Sequence, residues 1–458
     1  MVLKRDIKRM AKGKYITAPI SSRKIPTGIP YILINEASER FSFYGMRCIL
    51  VIFMTRYLMG PGGTLNVMSA EESKTYFHLF VSAVYFTPIL GALLSDIWLG
   101  KYRTILFFSL IYCLGFLTLS LDSTRLGLGA GLVLIAIGSG VIKPCVSANV
   151  GDQFGKTNKH LIEKVYGWFY FATNLGAFIS NLLVPILLEK YNSRVAFGTP
   201  AVFMLLATIA FWLGRNRFVH VPAAGFGFIK ETFSGDGLRA IGKLCIIYVF
   251  VAMFWALFDQ MDSAWVLQAE QMNRNWLGHE WLSSQIVSVN PLMIMILIPI
   301  FSFIIYPVIN KVFCLTPLRK ISIGLFVAAS VFVVSAWIET RIVAGDKPSV
   351  GWLILAYLIL TSAEVMVSIT CLEFSYTQAP KKMKSFIMAA FFLSITLGNV
   401  FTAVVNIFIQ NEDGSSKLEG ASYFLFFAIM MLLTAVIFVP VAARYKEKTY
   451  IQDESSEV

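Results

Sequence analysis

The chain has 458 residues, 57% of them apolar and only 14% charged, with a net charge of +12 and a mean hydropathy of +0.68. A soluble domain carries about 25% charged residues, so the composition excludes a soluble globular protein and points to a polytopic membrane protein. The positive excess needs no nucleic acid, because cytoplasmic loops of membrane proteins collect Lys and Arg, with a second use against anionic lipid.

Apolar runs of the ~20 residues that cross a ~30 Å hydrocarbon core recur along the chain. Twelve spans are expected, near 29–57, 76–99, 103–121, 127–149, 164–188, 196–214, 238–264, 283–309, 318–342, 350–376, 384–410 and 420–444. A basic arm, residues 1–28, runs straight into span one, which is too long and too polar for a cleaved signal. Loops on the arm's side add Lys101, Arg103, Lys156, Arg215, Arg217, Arg319, Lys320, Lys381, Lys382 and Arg444, while the opposite loops hold few bases. Both termini are therefore expected in the cytoplasm. A glycine-containing linker at 215–237 separates a six-helix bundle at 29–214 from a second at 238–444; a cytoplasmic tail, 445–458, follows, whose end Asp453-Glu-Ser-Ser-Glu-Val reads as disordered. Two six-helix halves around a midline site are a recurrent transporter plan. The six cysteines lie in or beside spans without paired spacing, which indicates neither a disulfide framework nor a metal site.

Span one carries Glu36, Glu39, Arg40, Tyr44 and Arg47 between two apolar runs. Positions 36, 39, 40, 43, 44 and 47 follow the i, i+3, i+4, i+7 series of one helical face. A charge at mid-bilayer costs about 2.5–3.5 kcal/mol on insertion scales, so this stripe looks inward, toward other helices or a wet cavity. Span two begins near His78, whose default reading is an interfacial histidine. Between spans two and three runs Gly91-Ala-Leu-Leu-Ser-Asp96-Ile-Trp-Leu-Gly100-Lys101-Tyr-Arg103. Its glycines allow a tight helix–helix turn, and Asp96 can pair with a base or cap a helix end. The run resembles the loop signature of the major facilitator superfamily.

Span four carries Lys143-Pro144. A ruler of ~1.5 Å per residue puts Lys143 roughly 9 Å from the inner face, with Glu36 and Glu39 roughly 9 and 14 Å above it. The matching depths favour a Lys143–Glu36/Glu39 pair over snorkelling. The second half is acidic where the first is basic, with Asp259 and Asp262 in span seven and Glu364 and Glu373 in span ten. Glu373 comes out near the cytoplasmic end, so a tilted or broken helix would be needed to raise it to a central site. Arginines in one half facing acids in the other would make a bipolar cavity suited to a zwitterion.

Together these residues resemble the proton-coupled oligopeptide transporter family. Its first-helix motif fits Glu36, Glu39, Arg40, Phe41, Tyr44 and Gly45. The run from Gly140 through Lys143, Pro144 and Cys145 to Asp152-Gln153-Phe154 is also similar. So are Phe169-Tyr170 with Asn174 and Gly176, Phe254-Trp255 with Asp259-Gln260, and Leu372-Glu373-Phe374 with Tyr376. The resemblance covers residues 30–445. It implies an all-α membrane protein of twelve transmembrane helices in two six-helix bundles, the major facilitator fold. It also implies a proton-coupled symporter that imports di- and tripeptides by alternating access.

By the same resemblance, Arg47 matches the position that holds the peptide carboxylate, with Lys143 nearby. Asn174, Asn290 and Glu373 match those that hold the amino terminus, and Tyr44, Tyr85, Tyr170 and Trp255 match pocket-lining aromatics. Glu36, Glu39, Arg40, Lys143 and Glu373 would couple proton movement to gating. His78 sits where animal members carry a coupling histidine, and Asp259 matches an outer-gate acid. Departures are Phe43 for a frequent tyrosine, Val141 for a glycine and Thr173 for an isoleucine, all changes at the pocket edge. The central loop is too short for the two extra helices of many bacterial members, and the large extracellular domain of animal members is missing between spans nine and ten. Expected partners are peptides, protons and membrane lipids, with no cofactor, metal, nucleic acid or obligate protein partner, and the expected location is a bacterial cytoplasmic membrane. The rival within transport is a small anion such as nitrate, as plant relatives carry. A membrane hydrolase would need a nucleophile and base that the surroundings of His78 do not offer, and a channel would show unsaturable flux.

Overall fold

The computed structural model describes residues 15–223, 225, 235–378, 384–412 and 415–445. The first half of the basic arm, residues 224 and 226–234 of the linker, Lys381, Lys382 and the tail beyond 445 lie outside the described residues. Helices dominate because a segment in hydrocarbon must satisfy its backbone N–H and C=O groups internally. Eleven described helices are long and apolar enough to cross a membrane. Span one, Ile29–Arg56, has the length at 28 residues but carries Glu36, Glu39, Arg40 and Arg47 along its course. The others are spans two Ala70–Leu99, three Lys101–Leu121, four Arg125–Asp152, five Lys164–Lys190, six Ser193–Asn216, seven Ile241–Glu270, eight Ser283–Val312, nine Pro317–Val343, ten Gly351–Ser375, eleven Ala389–Ile409 and twelve Ala421–Arg444.

Most boundaries fall within a few residues of the expected ones. Span two starts six residues early, because Ser69 Oγ accepts from Glu72 N at 3.1 Å and Glu71 and Glu72 suit the positive end of the helix dipole. Thr124, Asn192 and Thr316 cap spans four, six and nine in the same way. Among the described residues, three π-helical turns interrupt the long helices, at Ser95–Leu99, Phe301–Ile305 and Val365–Ile369. After span seven a two-residue turn, Leu277 at φ 55° and Gly278 at φ 77°, joins the strands Asn275–Trp276 and His279–Glu280 into a small antiparallel hairpin.

Packing divides the chain into two compact units, Met1–Arg47 with Phe86–Phe228 and Cys48–Tyr85 with Ile229–Val458. In the first unit, span one lies against spans five and six. A Cβ on Gly176 would meet Ala37 O at 2.4 Å, so glycine alone permits that approach. Asn35 Nδ2 donates to Ala207 O at 2.9 Å and Ser42 Oγ to Pro200 O at 2.8 Å, so the polar residues on this part of span one are satisfied by its neighbours.

At one end of this unit, the run 91–103, expected as a loop, forms the end of span two, Gly100 and the start of span three, and is held by span four, the arm and the linker. Gly91 packs on the Val141 backbone, where a Cβ would lie 2.5 Å from its carbonyl. Ser95 Oγ donates to Asp96 Oδ1 at 3.2 Å, while Lys101 reaches Asp152 on span four at 2.6 Å. Ile16 of the arm pairs with Val219 of the linker, and His220 N donates to Ile16 O at 2.7 Å. The His220 ring stacks on Tyr15 at 4.1 Å and sits 4.6 Å from Tyr102, with Nε2 donating to Arg215 O at 2.7 Å. Burial in this aromatic clasp, with Arg103 nearby, pushes the His220 imidazole below the ordinary histidine range despite its hydrogen bond to the Arg215 carbonyl. Arm, linker and this run therefore share one side.

In the second unit, spans seven and eleven approach backbone to backbone. A Cβ on Gly398 would lie 2.2 Å from Ala252 O, and Thr402 Oγ1 donates to Ala256 O at 3.1 Å. Trp265, Phe332 and Tyr357 sit in the large core cluster of this unit.

Candidate functional site

The charged stripe of span one is buried, as its helical spacing requires: Glu36 is 4% exposed, Glu39 2%, Arg40 8% and Arg47 2%. Arg40 Nε meets Glu36 Oε1 at 2.8 Å and Glu39 Oε2 at 2.7 Å, so one guanidinium edge holds both acids. Thr173 Oγ1, on span five, donates to Glu36 Oε1 at 3.2 Å, which the Gly176 approach makes possible. Lys143 comes down over the Phe43 ring at 4.1 Å, with Glu39 and Glu36 among its electrostatic neighbours and Arg40 and Arg47 close by. Depth matching brought Lys143 to the two acids; it did not show that Arg40 binds both of them. That follows from spacing, since Arg40 is four residues from Glu36 and next to Glu39. Tyr112 of span three, fully buried, lies beside Glu39 and Ser139.

Tyr44 packs edge-on against Phe43 at 5.4 Å. Tyr170 is exposed at 40%, and its carbonyl accepts from Asn174 Nδ2 at 2.9 Å. The Asn174 amide thus bonds its own helix. Arg47, Tyr44, Lys143, Tyr170 and Asn174 all belong to the first unit.

The second unit holds two polar sets. His78 is fully buried, not interfacial: Nδ1 lies 2.7 Å from Asn399 Oδ1 and Nε2 3.0 Å from Ser263 Oγ. Asn399 Nδ2 donates in turn to Asp259 Oδ2 at 2.6 Å. His78 and Asp259 are therefore joined through an amide. Trp255, one turn before Asp259, is buried edge-on against Phe254 and Phe258 at 5.3 Å, and Tyr85 lies 6.0 Å from Phe392.

The other set surrounds Asn290, whose Nδ2 donates to Thr361 Oγ1 at 3.1 Å and Glu364 Oε2 at 2.9 Å. Asn290 is thus brought to Glu364, while Glu373 lies nine residues further along span ten. Between the two acids sits the π turn Val365–Ile369. It is a helix irregularity that changes the direction in which Glu373 points relative to Glu364, not the tilt or break that sequence reasoning asked for. One inserted residue rotates the following helix by about 100°. Glu373 is exposed and lines a cavity of about 340 Å³ with Ser302, Tyr306, Asn310, Lys320 and Thr370.

Sequence reasoning missed Asn399, Ser263 and Tyr112, read Thr173 only as a change at the pocket edge, and left Glu364 without a role. Asn399 and Glu364 carried a readable signal: a polar group inside an apolar span is expensive unless partnered. Tyr112 and Ser263 carried none.

Comparison with known proteins places this geometry in context. A profile described as the POT family matches residues 102–235 and 225–420. The chain is 36% identical over 363 residues to Peptide transporter family 1 of Drosophila melanogaster, covering 69% of this chain and 48% of that protein. It is 33% identical over 406 residues to human Solute carrier family 15 member 2, covering 76% and 54%. It thus spans about half the length of the curated relatives it matches. Among solved structures, the POT family transporter PepTSo superposes with a TM-score of 0.84 at 34% identity, over 92% of this chain and 98% of that one. An auto-inhibited POT family peptide transporter superposes at 0.83 with 32% identity, over 94% and 99%.

Proposed function

The chain belongs to the POT family, and on that footing we propose that it is a proton-coupled symporter importing di- and tripeptides by alternating access. The observation that carries the reading is the division of charge within the spans, beyond the Arg40 pair. The first unit holds Arg47 and Lys143 beside an Arg40 that Glu36 and Glu39 already occupy. The second holds Glu364 with Asn290, and Glu373 beyond the π turn. Bases are partners for a carboxylate and acids for an ammonium, the two ends of any short peptide. A nitrate ion has no use for the acidic half.

The coupling step rests on the Arg40 pair. Proton uptake by Glu36 or Glu39 weakens the attraction of that acid for Arg40 and Lys143, and a base so released is free to meet a peptide carboxylate. The acids share one guanidinium, so the proton belongs to the pair and not to either residue. Two ion-paired arrangements of the same charges then define two states whose populations proton and peptide shift together. Peptide termini and backbone supply the binding energy, which leaves Tyr44, Tyr85, Tyr170 and Trp255 to accept varied side chains. The Lys and Arg distribution supports an orientation with both termini inside, and a bacterial cytoplasmic membrane is the location this reading proposes.

The test is competition for uptake of labelled dialanine into proteoliposomes. Unlabelled di- and tripeptides of unrelated sequence should compete, while free alanine and nitrate should not. Competition by nitrate with none from peptides would replace the reading by anion transport.

A further inference from the structure

His78, Asn399 and Asp259 form an unbroken chain of side-chain hydrogen bonds through the interior of the second unit, each residue at most 2% exposed. The amide in the middle can be oriented only one way. Asn399 Nδ2 faces the Ile395 carbonyl at 3.0 Å, which can only accept, and Asp259 Oδ2 at 2.6 Å. Its two N–H donors are thereby used, and Oδ1 is left facing His78 Nδ1 at 2.7 Å. An acceptor at that distance requires a hydrogen on Nδ1, so the neutral ring is the Nδ1–H tautomer with its lone pair on Nε2. There, the Ser263 hydroxyl lies at 3.0 Å. A hydroxyl rotates to donate or to accept, so it serves a neutral Nε2 and a protonated one equally well.

We propose that Asn399 is a positioning residue for proton coupling: its amide fixes the tautomer of His78, directs proton uptake to Nε2, and ties the charge of His78 to Asp259. This rests on the proton-coupled reading above and on a coupling role for His78 beside the Arg40 pair, as the family resemblance implies. A proton that arrives at Nε2 breaks no bond in the chain. Nδ1–H keeps donating to Oδ1, the amide keeps donating to Asp259, and Ser263 turns its hydrogen away. The imidazolium is stabilised through the amide dipole by the Asp259 carboxylate.

Glu364 of span ten is an electrostatic neighbour of Asp259. Asp262 precedes Ser263 in the same 3-10 turn as Asp259, Asp259–Asp262. Lys74 stands one turn before His78 and is held by Glu71 at 3.1 Å. Span eleven carries no charged residue between Ile387 and Ile409. Gly398 gives the chain its geometry, because its missing side chain lets span eleven approach span seven closely enough for Asn399 to reach Asp259.

Two measurements test the proposal. The first needs no transport. In protein labelled with ¹⁵N-histidine, the His78 signal, assigned by its loss in His78→Gln, should show a protonated Nδ1 and an unprotonated Nε2 at neutral pH, and Asn399→Ala should abolish that preference. A wild-type signal from the opposite tautomer would overturn the proposal. The second is the pH profile of dialanine uptake. Asn399→Ala, and the nearly isosteric Asn399→Asp as a check on folding, should move half-maximal uptake by about one pH unit, the scale of one hydrogen bond to a charged group. The Ala variant should move it toward acid, because His78 loses its link to Asp259. Ser263→Ala should move it less. Wild-type uptake that follows the proton gradient with both Asn399 profiles unmoved would refute the role of Asn399 while leaving the symport reading intact. Wild-type uptake that ignores the gradient would instead refute the symport reading.

Discussion

Replacing Arg40 with alanine is the sharpest perturbation of the first unit. Arg40 Nε lies 2.8 Å from Glu36 and 2.7 Å from Glu39, with side-chain exposures of 10%, 6% and 2% for the three residues. Removing the cation leaves two carboxylates side by side out of water. Breaking a buried pair by removing one partner costs about 3–5 kcal/mol. In a unit of about 200 residues, at roughly 2–4 °C per kcal/mol, that is a fall in melting temperature on the order of 10 °C. The same argument fixes the pH dependence. In the variant, acid conditions supply a proton to one of the two acids and relieve their repulsion, so the loss at pH 5 should be about half that at pH 7.5. Adding Glu39→Gln to Arg40→Ala should restore a similar share at neutral pH, because it removes the same repulsion. The assay is thermal unfolding of purified protein in detergent, for the four combinations at both pH values. A variant that melts within about 2 °C of wild type, or loses equally at both pH values, would refute the claim that Arg40 neutralises both acids.

Two further outcomes follow from the packing. Gly398→Ala should destabilise by about 1–3 kcal/mol, because its Cβ would lie 2.2 Å from Ala252 O. Gly242→Ala, in span seven with nothing within 4 Å, should stabilise by roughly 0.5–1 kcal/mol through helix propensity; equal signs in thermal unfolding would contradict the close approach. The His220 clasp should weaken in acid. Its folded imidazole titrates below its unfolded value, so its contribution is complete above about pH 6.5 and declines as pH falls through that value toward the folded one. The melting difference between wild type and His220→Phe should shrink over that window, and a flat difference would show that His220 is not the group responsible.

Much of this fold could be read from the sequence, and the reason is the membrane. Apolar runs of span length have one solution in hydrocarbon, so the twelve helices were placed to within a few residues at most ends. Burial of the Glu36–Arg47 stripe followed from helical spacing and the cost of charge in lipid. What was hidden arises from interruptions and long-range contacts. The π turn between Glu364 and Glu373 leaves no mark on hydropathy, since Val365-Met-Val-Ser-Ile369 reads as ordinary helix. His78 read as interfacial because its partners, Ser263 and Asn399, lie 185 and 321 residues away. The pairing of Ile16 with Val219 is equally remote. The early start of span two was legible, since Ser69-Ala-Glu-Glu72 is a helix-capping sequence.

The central claim is that this chain drives peptide accumulation with protons through the bases of its first unit. Labelled dialanine uptake into proteoliposomes, with and without an inward proton gradient, tests it for wild type and Arg47→Ala together. The account predicts accumulation above equilibrium in wild type that collapses with an uncoupler and is lost in the variant at equal reconstitution. Wild-type uptake that neither accumulates nor responds to the gradient would contradict it, and undiminished accumulation in Arg47→Ala would remove Arg47 from the carboxylate site.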